Sequence, residues 1–114
     1  MLAKKYRLTS SRDFSRIESS GKTFQSDNFG VGIFDRGDKN PPRFGFVVST
    51  KVAKDAVDRN TIRRHMSETV RMLTGDIRDG LDIAFLAKPG IIRVPADSIV
   101  REVREAIRKS GICK

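Results

Sequence analysis

Apolar residues recur along the chain with two periods, and the switches between them lay out the elements. Ser10 and Asp13 stand at the spacing of a capping box, with Asp in place of the usual Glu, and Phe14 and Ile17 follow as an i, i+3 pair. This predicts a short helix from about Ser11 to Ser19, ended by Gly21. From Phe24 to Phe34 the period becomes two. Phe29, Val31 and Ile33 fall on one side and Asn28, Gly30 and Gly32 on the other, which describes a strand with one nearly bare face. A bend or split near Asp27–Asn28 would make it two strands.

Residues 35–42, DRGDKNPP, concentrate turn formers and predict a hairpin to the next strand. That strand, Arg43 to Ser49, is apolar at several positions on both faces, as suits a central position. Between about Val57 and Leu73, the residues Ile62, Met66, Val70 and Leu73 form the stripe of an amphipathic helix, with Asp55 and Asp58 suited to its N-terminus and Gly75 closing it. DIAFLAK (82–88) reads as a buried strand. Pro95 opens a last helix, whose Ile99, Val103, Ala106 and Ile107 share a face until Gly111. The order α, β, β, α, β, α, with three or four strands, argues for an α+β sandwich in a single domain spanning 1–114.

Charge sharpens the picture. Twenty-three Lys and Arg against 14 Asp and Glu leave a net charge of +9, a field that favours a polyanion. Nucleic acid leads. An anionic membrane ranks behind it, because the apolar runs are short and no basic helix carries the Trp or multiple Phe of an interfacial anchor. The charged N-terminal stretch lacks the apolar core of a signal peptide, which predicts a cytoplasmic protein. The lone Cys113 permits no internal disulfide and reads as a free thiol on a frayed tail.

Within 58–68, DRNTIRRHMSE, the helix side away from Ile62 and Leu73 carries Asn60, Arg63, Arg64, Ser67 and Arg71, with Arg59 at its edge and Lys51 and Lys54 in the loop before it. A solvated face is the plain explanation of a charge run. The near absence of acidic neighbours apart from Glu68 favours phosphate. Asn60, a neutral amide among arginines, suits positioning a backbone or a hydrated ion, or is an ordinary helix-start residue. No cluster of His, Asp and Glu has ligand spacing, and the single His65 offers no partner for acid/base work, so neither a catalytic residue nor a protein-held metal is expected.

Three segments, KKYRLTSSRDFSRIESSGK, FGFVVSTKVAKDAVDRNTIRR and DIAFLAKPG, together with the final helix, make the chain resemble the protein component of bacterial ribonuclease P over nearly its whole length. The resemblance implies a two-layer sandwich of the ribosomal-protein-S5 domain 2-like kind with a left-handed βαβ crossover. It implies a subunit of a ribonucleoprotein endonuclease whose RNA is the catalyst, removing the 5′ leader of precursor tRNA with Mg2+ held mainly by that RNA. Its expected partners are the ribonuclease P RNA and precursor tRNA, with no membrane and no small-molecule substrate. By position it makes Arg59, Asn60, Arg63, Arg64 and Lys51 RNA-binding, to which the charge pattern adds Lys54 and Arg71, and it places Phe14 at the leader cleft, whereas Phe14 taken alone reads as a core residue.

The chain departs from the family pattern at Thr61, Ser67 and Glu18, and Gly30 and Gly32 replace larger residues, which implies a more open cleft. A non-catalytic RNA-binding or ribosomal assembly protein of the same fold is the alternative. A stand-alone nuclease lacks the groups it would need.

Overall fold

The computed structural model describes residues 2–114. The two periods fold as expected: α1 is Ser11–Ser20, β1 Lys22–Gln25, β2 Phe29–Asp35, β3 Arg43–Val47, α2 Ala56–Leu73, β4 Leu81–Ala87 and α3 Ala96–Lys109, with single 3-10 turns at Lys4–Tyr6, Thr74–Asp76 and Pro89–Arg93. The long first strand is split, so the sheet has four strands in the order β1-β2-β4-β3. β4 runs antiparallel to β2 and parallel to β3, with α2 as the crossover between the parallel pair.

One face of the sheet carries Phe29, Val31, Ile33, Phe44, Ile83 and Phe85, and α2 and α3 cover it with Ile62, Met66, Val70, Ile99, Val103 and Ile107, all buried. Each such side chain contributes about 1.5–3 kcal/mol on removal from water. Phe85 sits at the centre, edge-on to Phe29 at 5.7 Å and stacked on Phe46 at 5.4 Å. Two layers therefore suffice for the core, and the opposite sheet face is left to α1 and Leu8 of the segment before it.

The structure corrects several expectations. β2 and β3 do not form a hairpin, because β4 lies between them, and β3 is an edge strand. The reason is the loop 36–42, which straddles the start of β4: Arg36 N donates to Gly80 O at 2.7 Å and Gly80 N to Asn40 O at 2.8 Å. Gly80 has φ +83°, and a Cβ there would strike the carbonyl of Asp38. The free edge of β3 is partly covered by the N-terminal segment, where Leu8 N donates to Phe44 O at 2.8 Å.

Neither Ser10 nor Asp55 caps its helix through its side chain. Asp13 is drawn away from the helix end by two arginines, described below. Gly75 does not close α2, which ends at Leu73 and tightens into the Thr74–Asp76 turn. The C-terminal tail is not frayed: the Cys113 backbone pairs with Ile77, and Lys114 N donates to Asp76 O at 2.8 Å, while the exposed Cys113 thiol is in no disulfide and points to Ile107 O at 4.0 Å.

Candidate nucleic-acid interface

Strand register divides the outer sheet face into three rows. Phe34, Asp82 and Arg43 form the first, Thr23, Gly32, Ala84 and Gly45 the second, and Gln25, Gly30, Leu86 and Val47 the third. Helix α1 lies over the first two. Ile17 is seated on Gly32, where a Cβ would come within 2.6 Å of its methyl, and the Phe14 ring rests directly against Gly45. The space over Gly32 is filled by Ile17, and that over Gly30 is bordered by the end of the Gln25 side chain, so neither glycine alone leaves an empty position on the floor.

The third row stays uncovered. Leu86 is 47% exposed and Val47 39%, and together with Phe14, Ile17, Glu18, Gln25 and Lys88 they line a cleft of about 510 Å³. Phe14 packs with Leu8, Ile17 and Ala84 and also lines this cleft. Lys88 Nζ donates to Ser26 O at 2.8 Å and so ties the end of β4 to the β1–β2 turn at the cleft.

Sequence reasoning missed what holds α1 in place. Asp82 is completely buried. It accepts from Arg36 Nη1 at 2.6 Å, from Arg43 Nε and Nη2 at 2.8 and 2.9 Å, and from Arg16 Nη2 at 3.5 Å. Asp13 of α1 then bridges Arg16 at 2.8 Å and Arg43 at 3.2 Å. Asp38 completes the cluster with both oxygens on Arg36. The hydrogen bond from Arg36 is the main reason its carboxyl titrates below the ordinary value of 3.8. A charge at the start of an otherwise apolar strand was the available signal, because such a group must find a partner. Three arginines are thus neutralised internally and do not contribute to the cationic field.

The cations on and before α2 sort by what they already do. Arg59 donates to Ala53 O and Lys54 O at 3.0 and 2.7 Å, closing the loop onto the helix start. Arg63 donates to Asn60 Oδ1 at 2.7 Å and reaches Val48 O at 3.4 Å. Arg71 pairs with Glu68 at 2.9 Å. Arg64, Lys51 and Lys54 are exposed, and their side chains make no bond among the described residues. Ser67 does not lie on this open face as its helical position suggested. It is buried beside a small cavity lined by Leu2, Leu8 and Phe44, with its hydroxyl donating to Arg64 O.

The loop 48–55 leaves β3 at Val47, the end of the uncovered third row, and carries Lys51 and Lys54 to the first turn of α2, with Arg64 two turns further along that helix. Among the described residues, no three of His, Cys, Asp and Glu come together. The oxygens of Asp82 and Asp13 are already taken by arginines, so the donor set does not fit a protein-held ion. No helix is long and apolar enough to cross a membrane.

These features define a small basic α+β protein with a cationic helix on one sheet face and an open, apolar-floored cleft on the other. The family model Ribonuclease P matches residues 2–111. Similar curated proteins are the ribonuclease P protein components of Clavibacter michiganensis, 31% identical with 96% of each chain covered, and of a Cyanothece strain, 27% identical with 98% of this chain and 97% of the relative covered. Among solved structures, the RNase P protein of Staphylococcus aureus superposes with a TM-score of 0.90 at 24% identity, covering 97% of this chain and all of that one. The Thermotoga maritima RNase P protein, in complex with 1-(4-fluorophenyl)-2-thiourea, gives 0.82 at 28% identity, covering 90% and 98%. The chain belongs to the ribonuclease P protein family, the protein components of a tRNA-processing endoribonuclease.

Proposed function

We propose that the chain binds the catalytic RNA of ribonuclease P through the α2 N-terminal face and holds the 5′ leader of precursor tRNA in the cleft. The observation that carries this reading is that Arg64, Lys51 and Lys54 have no partner among the described residues, while the loop bearing the two lysines starts at Val47 of a cleft with an apolar floor and an aromatic wall. Cations free of internal partners are available to phosphates, and unpaired bases favour apolar and aromatic surfaces within a basic groove. Arg63 and Asn60, already bonded to each other, present a fixed pair of donors to the same RNA. Arg59 acts one step back by holding the loop that carries Lys51 and Lys54.

The reaction is hydrolysis of a phosphodiester, for which Mg2+ bound by the RNA subunit supplies the activated water and the charge neutralisation. The protein contributes affinity and placement of the substrate, with no side chain acting on the scissile bond. Reconstitution tests this: with its cognate ribonuclease P RNA at low magnesium, the protein should accelerate leader removal and tighten binding of precursor over mature tRNA. Binding of the RNA without any acceleration would favour a non-catalytic RNA-binding role.

A further inference from the structure

We propose that the outer side of α3 is a second phosphate-binding surface for the RNA subunit, formed by Arg101, Arg104 and Arg108. The inference rests on the proposed contact of α2 with that RNA and extends it to the neighbouring helix. α2 and α3 cover the same sheet face, with Ile99, Val103 and Ile107 of α3 turned to the core. At about 100° per residue, Arg101 and Arg108 point away from Val103 into solvent. Arg104 lies on the flank toward α2, where it and Arg108 border Leu73 around a cavity of about 390 Å³.

The three arginines stand at i, i+3 and i+7, so each has a like charge one turn away, an arrangement that destabilises an exposed helix unless an anion joins it. None of the three guanidiniums has a partner among the described residues. The nearby acids are engaged or turned elsewhere. Glu102 accepts from Asn28 N at 3.2 Å and from Asn28 Nδ2 at 2.9 Å, Glu105 faces the β1 side, and Asp76 shares the cavity rim with Lys114. Asp97 suits the positive start of the helix and Arg108 its negative end, but Arg101 and Arg104 are mid-helix, where the dipole gives them no role. The strip spans about 10 Å, a line that a sugar–phosphate backbone can follow. No large apolar residue is exposed on α3, so the surface suits phosphates and lacks the apolar centre of a protein contact. The leader cleft is on the opposite sheet face, which leaves the RNA seated on α2 as the strand within reach.

Equilibrium binding of the intact protein to its ribonuclease P RNA over a range of salt concentrations tests this. Arg104→Ala combined with Arg108→Ala should lower the slope of log affinity against log salt by roughly 1.4–1.8, the sum of two phosphate contacts. Arg12→Ala combined with Lys39→Ala removes the same charge from the exposed side of α1 and from the loop 36–42, and should change the slope by less than about 0.5. Equal falls in the two double variants would reflect net charge alone and overturn the assignment to α3. So would an unchanged slope for the α3 pair while Arg64→Ala still lowers it, or a loss confined to binding of precursor tRNA by the holoenzyme. No fall with either the α3 pair or Arg64→Ala would overturn the α2 interface itself, and this proposal with it.

Discussion

Asp82→Asn isolates the charge that fastens α1 to the sheet, because the substitution keeps the shape of the side chain and removes its negative charge. Asp82 has no solvent exposure, and Arg36 and Arg43 converge on it at 2.6–2.9 Å, with Arg16 at 3.5 Å. Removing one member of a buried ion pair costs about 3–5 kcal/mol, most of it the stranded opposite charge. Here the guanidiniums keep other partners: Arg36 retains Asp38 and the carbonyls of Leu81, Asn40 and Pro41, and Arg43 and Arg16 retain Asp13. The cost should therefore fall near the lower bound, about 3 kcal/mol. At about 4 °C per kcal/mol for a domain of this size, the melting temperature should drop by roughly 12 °C.

Thermal and denaturant unfolding of the two proteins measure this directly. A second readout follows from the position of α1. In a variant that is still folded, a loosened cleft wall should weaken precursor binding more than binding of the RNA subunit. A fall in melting temperature of less than about 3 °C, equivalent to under 1 kcal/mol, would refute the view that this cluster secures the helix.

Four further outcomes are expected. Gly45→Ala must displace the Phe14 ring and should cost about 1–3 kcal/mol in denaturant unfolding, whereas Gly30→Ala meets only the flexible end of Gln25 and should leave stability within about 0.5 kcal/mol; equal losses at the two would be inconsistent with the packing described. Arg64→Ala should reduce the slope of log affinity against log salt for the RNA subunit by about 0.7–0.9 without moving the melting temperature, and an unchanged slope would remove Arg64 from the interface. Asp38 titrates below its ordinary 3.8 in the folded state, so its contribution is fully present above that value and is lost as the pH falls through the lower folded one. The stability gap between wild type and Asp38→Asn should close on acidification, and a gap that widens would contradict the pairing. Finally, sulfate should raise the melting temperature, since an anion that binds only the native cationic face stabilises it by mass action; no shift would count against anion-assisted folding.

What the sequence disclosed depended on the range of the interaction. The stripes Ile62, Met66, Val70 and Ile99, Val103, Ile107 were legible because helical amphipathicity is written within a few turns of chain, and all six residues are buried. The neighbours of β3 were not, because strand pairing is decided by distant residues. Pro and Gly in 35–42 signalled a turn correctly, yet Arg36 in that turn reaches Asp82, 46 positions away, and the loop spans a third strand instead of closing a hairpin. Ser10 and Asp55 obeyed the local rule for helix caps without making the bonds. On the interface, periodicity found the cationic face but could not tell Arg64, which is free, from Arg59 and Arg63, which are engaged by backbone and amide oxygens. It also put Ser67 on the open face, because the N-terminal segment that covers it comes from the other end of the chain.

The separation of buried from exposed charge explains how one small sheet serves two purposes. Arginines at the Asp82 end of the outer face are neutralised and used as struts, so α1 can sit flat on the glycines of β2 and β3 with only Ile17 fully buried. That strutting leaves the third row open and keeps Phe14 at its border. At the other end of the same strands, the chain passes from Val47 through a loop bearing Lys51 and Lys54 to Arg63, whose guanidinium reaches back to Val48 O. A nucleic-acid strand lying on Leu86 and Val47 would thus meet free cations within a few residues of leaving the apolar floor. If charge had only to keep the protein soluble, the arginines at both ends could be exchanged without consequence. Moving one from the α2 end to the Asp82 end, or the reverse, should instead damage stability in one case and RNA affinity in the other.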